Sequence, residues 1–154
     1  MRNALKGLGS SAEIVDLEQS GRTAKQAAQQ IGCPLGAIVK SLVFLVDSEP
    51  VLALIAGDRK CDQRELGLVM GFTGGVKKAD ADFVRSFTGF SIGGVAPLAH
   101  LNRMPVLVDS SLQRFNPVYA AAGHPNCIFG ISVTELCRVS NGVLEAKIST
   151  ESLI

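Results

Sequence analysis

Ile38-Val39-Lys40-Ser41-Leu42-Val43-Phe44-Leu45-Val46, then Asp47-Ser48-Glu49-Pro50, then Val51-Leu52-Ala53-Leu54-Ile55-Ala56: the fold turns on this stretch. A strand sends successive side chains to opposite faces. On that period Ile38, Leu42, Phe44 and Val46 share one face, and Val39, Val43 and Leu45 share the other. A run apolar on both faces is a central strand covered on both sides. Asp47 to Pro50 has the residues of a hairpin loop. Val51 to Ala56 returns as a second buried strand and stops at Gly57-Asp58. Lys40 lies on the face of Ile38 and Leu42. Such a lysine either carries its ammonium along an apolar stem to the sheet edge, or holds its charge in a pocket for an anionic or carbonyl ligand.

Toward the N-terminus, residues 2–8 read as a short helix ended by Gly9, and Glu13 to Glu18 as a strand closed by Ser20-Gly21. Thr23 is a good N-cap. Ala24, Ala27, Ala28 and Ile31 then form one helical face, stopped by Gly32 and Pro34. Toward the C-terminus, Asp62 and Glu65 start a helix carrying Leu66, Val69 and Met70. Phe72 to Lys78 reads as a short strand. Asp80 or Asp82 caps a helix with Phe83, Val84 and Phe87 that Gly89 ends. Pro105 to Asp109 is a strand, and Ser110 to Phe115 a turn or short helix. Val118–Ala122 and Cys127–Ile131 are strands joined by Gly123-His124-Pro125-Asn126. Ser132 and Glu135 open a last helix, and Asn141-Gly142 is a hairpin signal before Val143 to Ile148. About seven or eight strands interleaved with short helices make one α+β domain over residues 1–154, around a mixed or antiparallel sheet.

The 154 residues are 47% hydrophobic and 19% charged, a globular balance with enough chain for its own core. A net charge of +1 supplies no field for gripping a nucleic-acid duplex, which leaves contact with a nucleic-acid end. Cys33, Cys61, Cys127 and Cys137 form no CxxC, and His100 and His124 are not at metal spacing, so neither metal nor cofactor is expected. The cysteines read as small core residues. Met1 to Lys6 lacks the apolar core of a signal peptide, and no apolar run is long enough for a membrane span. The expectation is a cytoplasmic protein with free thiols.

The other organising stretch is Thr88-Gly89-Phe90-Ser91-Ile92-Gly93-Gly94-Val95-Ala96-Pro97-Leu98-Ala99-His100. Its spacing is neither GxGxxG nor a P-loop. Gly93 to Pro97 reads either as a plain turn or as a stiff loop whose bare N–H groups face a ligand. His100 and His124 each follow a Gly/Pro turn, where a histidine is either solvated or an acid, base or donor. Asp109 is placed to cap the Ser110-Ser111 turn, and Asp58-Arg59-Lys60 reads as a solvated turn. No nucleophile elbow or carboxylate pair is present. An enzyme of this sequence works by positioning and backbone donors.

With these residues in place the chain resembles the YbaK/EbsC family of aminoacyl-tRNA deacylases, free-standing relatives of the editing domain of prolyl-tRNA synthetase. The resemblance is carried by Thr23 to Ala28, Ile38 to Phe44, Gly57-Asp58 with Asp62, Thr88-Gly89-Phe90, Gly93 to Pro97, Val108-Asp109 and Ala122-Gly123. It implies a mixed, mostly antiparallel, barrel-like sheet of about seven strands with short helices around it. It also implies hydrolysis of the ester on a mischarged tRNA, with tRNA for proline carrying Ala or Cys as the expected substrate and prolyl-tRNA synthetase as a possible partner. The family's lysine falls on Lys40 and its G-x-x-x-P loop on Gly93, Gly94, Val95, Ala96 and Pro97, whose amides would hold the aminoacyl carbonyl while water attacks. Asp109, Gly123 and His124 complete the implied substrate pocket. Where relatives often carry Gly, this chain has Ala99, whose methyl would narrow the loop. The alternatives are a non-catalytic module that binds an aminoacylated end or a nucleotide, and a hydrolase of some other small ester or amide.

Overall fold

The computed structural model describes residues 1–19, 21, 23–72 and 74–152. Ser20, expected to close the first strand, and Thr73, inside the expected strand 72–78, lie outside the described residues. The chain begins with helix α1 (Arg2–Gly7), strand β1 (Ile14–Asp16) and helix α2 (Ala24–Ile31). Thr23 and Gln26 close a reciprocal capping box on α2, and Gly32 ends it in the left-handed conformation.

The central hairpin follows, β2 (Val39–Val46) and β3 (Glu49–Ala56), joined by Asp47 and Ser48 alone. Both turn residues have positive φ, 49° and 67°, the geometry that matches strand twist across a two-residue hairpin. Glu49 and Pro50, expected in the loop, are therefore already in β3. Pro50 stands opposite Leu45, whose backbone groups point to the other edge, so its missing N–H costs no bond between the two strands.

Strand β4 (Arg59–Cys61) precedes helix α3 (Gln63–Val69), strand β5 (Val76–Lys78), helix α4 (Ala81–Thr88) and strand β6 (Val106–Asp109). Then come a 3₁₀ turn at Ser110–Arg114, strands β7 (Val118–His124) and β8 (Cys127–Ile131), helix α5 (Val133–Ser140), and strands β9 (Val143–Glu145) and β10 (Ser149–Glu151). Asp62, Asp80 and Ser132 cap α3, α4 and α5 as their spacing predicts.

The main sheet runs β5-β2-β3-β6-β9, with β5, β2 and β3 antiparallel and β6 and β9 parallel to their neighbours. An antiparallel sheet β1-β8-β7 lies beside it, and β4 pairs with β10. Ile38 bridges Tyr119, so the second sheet curls off the edge of the first without closing a barrel among the described residues. The main core lies on the Val39, Val43, Leu52 and Leu54 side, filled by Phe129, Ile131 and Leu136. The opposite side packs Phe44, Val46, Ala53 and Ile55 against Leu66 of α3 and Ile148.

Two expectations are corrected. Asn141-Gly142 is not a hairpin: Asn141 has φ 55° and ends α5, and Gly142 N–H donates to Cys137 O at 3.0 Å. Its strand, β9, runs parallel to β6, a partner that no hairpin can reach. Arg59 and Lys60 are not in a solvated turn but in β4, where Arg59 Nε donates to Ser149 Oγ at 2.7 Å.

Candidate active site

The hydrogen-bond phase of β2 positions the site. Gly57 N–H donates to Ile38 O at 2.8 Å. In an antiparallel pair that contact repeats every second residue, so Lys40, Leu42 and Phe44 aim their backbone groups at β3. Ser41, Val43 and Leu45 aim theirs at the opposite edge. There β5 pairs only with Phe44 to Val46, and Ala79 N–H extends the contact to Val43 O at 3.0 Å. On the other side Ile38 meets β7 at Tyr119. Between these contacts Ser41 has no strand partner on that edge among the described pairings: β5 reaches only Phe44 to Val46, and β7 bridges only Ile38. The Ser41 side chain lies on the Val39 and Val43 face, and its Oγ is buried without a hydrogen-bond partner among the described residues.

The glycine loop covers this gap. Thr88 Oγ1 donates to Val84 O at 2.6 Å and accepts from Phe90 N–H at 3.0 Å, which fixes the exit from α4. Gly94 N–H donates to Ser91 O at 2.9 Å, whereas the N–H groups of Gly93, Val95 and Ala96 find no acceptor among the described residues. Val95, Ala96, Pro97 and Leu98 are buried and anchor the loop. Behind it, His100 Nε2 donates to Ala96 O at 2.6 Å, and the His100 ring meets Phe90 edge-on with centroids 6.1 Å apart. Burial holds the His100 imidazole below its ordinary range, opposed by the bond to Ala96.

Two glycines let the loop seat on the β7–β8 turn. A Cβ on Gly123 would lie 2.9 Å from Phe90 Cε1, and one on Gly94 would lie 3.1 Å from His124 Cα. Ala99 has φ 64° and is exposed, so its methyl does not narrow the loop as expected; its cost is backbone strain.

Between loop, β2 and β7 runs a groove of about 330 Å³, walled by Lys40, Ser41, Ile92, Gly93, Val95 and Tyr119. A side cavity of about 110 Å³ adjoins it, sharing Ser41, Leu42, Ile92 and Val95 and lined further by Val43, Ala79 and Val84. Among the described residues neither is lined by a carboxylate or a histidine.

Lys40 and Ser41 leave β2 on opposite faces. Lys40 Nζ donates to Arg59 O, which leaves two of its three donor positions without a partner among the described residues. Burial, reinforced by the Lys78 charge, holds its ammonium below the usual lysine range, against the pull of Asp58, Asp109 and Cys61. Asp58 is held in a bidentate pair with Arg114 at 2.7 and 2.9 Å.

The other sequence-expected residues stand off the groove wall. Asp109 is buried and accepts from Ala56 N–H at 3.1 Å, Ser111 N–H at 3.0 Å and Ser111 Oγ at 2.7 Å. It caps its turn and ties β6 to β3. Gly94, Ala96, Pro97, Gly123 and His124 support the loop and its seat. His124 is exposed, and its Nδ1 accepts from Asn126 N–H at 3.1 Å. Burial pushes the Cys61 thiol up to about 12, which leaves it un-ionised and un-nucleophilic at neutral pH. Sequence reasoning passed over Ser41, whose only signal was a polar residue on the second face of an otherwise apolar strand.

A family model described as an aminoacyl-tRNA editing domain matches residues 18–139. The chain belongs to the aminoacyl-tRNA editing domain family. Its deacylase chemistry is hydrolysis of the ester that joins an amino acid to tRNA. The chain is 33% identical over 129 residues to YwhH of Bacillus subtilis strain 168, a protein described as uncharacterized, covering 83% of this chain and 81% of YwhH. It is 28% identical over 107 residues to a proline–tRNA ligase of Lactobacillus acidophilus, covering 70% of this chain and 19% of that ligase. A crystal structure described as a candidate trans-editing enzyme for prolyl tRNA synthetase superposes with a TM-score of 0.89 at 34% identity, covering 98% of this chain and 94% of that one. No helix among the described residues is long and apolar enough to cross a membrane.

Proposed function

We propose that this editing-family chain acts in trans on tRNA for proline that carries a small wrong amino acid, Ala or Cys, and releases it by hydrolysis. The observation that carries the reading is the pair of unpaired loop amides, Gly93 and Val95, on the wall of a groove that Lys40 also lines. An ester carbonyl laid against those amides would gain donors aimed at the oxyanion of the tetrahedral intermediate. One such donor is worth roughly 3–4 kcal/mol of transition-state stabilisation. The free donors of Lys40 meet the ribose or phosphate of the terminal nucleotide. With no carboxylate or histidine on the wall among the described residues, the ribose hydroxyl beside the ester takes the proton of the attacking water as it passes its own to the departing 3′ oxygen, so the acyl C–O bond breaks to give the free amino acid and an uncharged tRNA end.

The resemblance to proline–tRNA ligases and to the candidate trans-editing enzyme supports proline tRNA as the carrier. Editing in a second site suits this chemistry, because a synthetase pocket separates ligands that differ by one methylene by only about 1–3 kcal/mol. The test is single-turnover deacylation of tRNA for proline charged with Ala, Cys, Ser, Thr or Pro. Release of Ala or Cys with Pro spared is expected. Hydrolysis of none, with tRNA still bound, would leave a binding module instead.

A further inference from the structure

The amino group of the substrate needs a receiver, and the walls offer few. An aminoacyl ester carries an α-amino group, whose ordinary value is about 7.7–8.0. A carboxylate would be its natural partner, yet none lines the groove or its side cavity among the described residues. Lys40 is cationic and donates only. Thr23 Oγ1 already accepts from Gln26 N–H at 3.1 Å. Tyr119 sits on the far wall, on β7. Ser41 differs from all of these. Its C=O points off a stretch of strand edge that no described pairing covers, and its Oγ is buried with no hydrogen-bond partner among the described residues. Both are acceptors, both belong to one residue, and that residue stands where groove and side cavity meet.

A buried hydroxyl left unsatisfied is costly to a fold, and a bare strand edge is a template for hydrogen bonding from another chain or ligand. Two such groups on one residue mark a docking point.

We propose that Ser41 is the substrate-binding residue that receives the α-amino group of the aminoacyl end, with its C=O and Oγ as acceptors. The inference rests on the reading that the aminoacyl end lies in this groove. The arrangement is complementary to the loop: acceptors on β2 for the amine, donors at Gly93 and Val95 for the ester carbonyl. It leaves the amino acid's side chain outside the recognition of the amine, so the residue sets the requirement for an amino acid rather than the choice among them.

Binding of amide-linked analogues tests this without turnover. The two probes are 3′-alanylamino-3′-deoxyadenosine and its 3′-propionylamino counterpart, which lacks only the amino group. Titration calorimetry should show wild type preferring the alanyl compound about tenfold, the size of one charge-assisted hydrogen bond. Ser41→Ala should lose at least about a third of that tenfold preference on the logarithmic scale, the backbone acceptor remaining, and Ser41→Thr should restore it. A wild type that binds both probes equally overturns the proposal, as does a Ser41→Ala variant with full preference. Neither result touches the deacylase reading, which the charged-tRNA panel decides separately. Because Ser41→Ala removes an orphan hydroxyl, its melting temperature should not fall; a fall would assign Ser41 a structural role and overturn the binding one.

Discussion

Lys40 and Ser41 are neighbours in one strand and meet opposite fates. Lys40 leaves β2 on the side closed by α3 and donates to Arg59 O, near a carboxylate network in which Asp58 and Asp109 are each hydrogen-bonded. Ser41 leaves on the side of the main core, past the end of β5 and beyond the bridge from Ile38 to β7, and its Oγ meets no partner among the described residues. The difference teaches where to look for a ligand. Polar groups that the fold has satisfied hold the scaffold, and those it leaves bare at a cavity wall are available to a substrate. Lys40 belongs partly to both classes, since one donor is used and two are not.

The comparison can be broken most severely at the seat of the loop. Gly123→Val puts a branched side chain at φ 96° and 2.9 Å from Phe90, and should cost about 3 kcal/mol or more. For a chain of this size that is a loss of about 6–12 °C in Tm, with the groove lost as well. On the satisfied side, Asp109→Ala strands the buried Ala56 N–H and should cost about 2 kcal/mol in a denaturant titration. Ser41→Ala should have the opposite sign, a gain of about 1 kcal/mol, since it removes a buried hydroxyl that has no partner. Equal destabilisation by the two substitutions would erase the distinction between the satisfied and the bare groups.

The histidine behind the loop sharpens the comparison through pH. His100 sits below its ordinary 6.5 in the fold, so between those two values the unfolded chain binds a proton that the folded chain does not. Stability therefore rises with pH through that window and is lowest beneath it. Melting curves from pH 7.5 down to 4.5 should show this slope, and His100→Gln should flatten it. The smallest effect is expected at Ala99→Gly. Release of the strain at φ 64° is offset by the entropy of glycine in the unfolded chain, for a net gain of about 0.5 kcal/mol in the same titration.

Much of the scaffold is legible in the sequence because its signals are local. The capping residues Thr23, Asp62, Asp80 and Ser132 start their helices, and the two-faced apolar pattern of β2 and β3 marks the sheet centre. What is not legible depends on distant partners. β4 and β10 are three residues each, charged and half exposed, and exist only because they pair with one another. Asn141-Gly142 has the composition of a hairpin and the position of a helix end, and only the parallel pairing of β9 decides between them.

The site divides in the same way. Lys40 and the glycine loop stand out by composition. That Gly94 and Gly123 serve close packing, and that Asp109 caps a turn, depends on what lies against them. Ser41 carries only the mark of a polar residue on an apolar face, and its bareness is a property of where β5 stops.

Hydrolysis is assigned to the groove between β2 and the loop. Its most direct test is the single-turnover rate of deacylation of alanyl- and cysteinyl-tRNA for proline by Lys40→Ala beside wild type, with Tm measured on both. A loss of about 100-fold or more is expected, within the range of removing one preorganised electrostatic group, with the fold intact. An unchanged rate in a folded Lys40→Ala protein would contradict it and move the chemistry away from this groove.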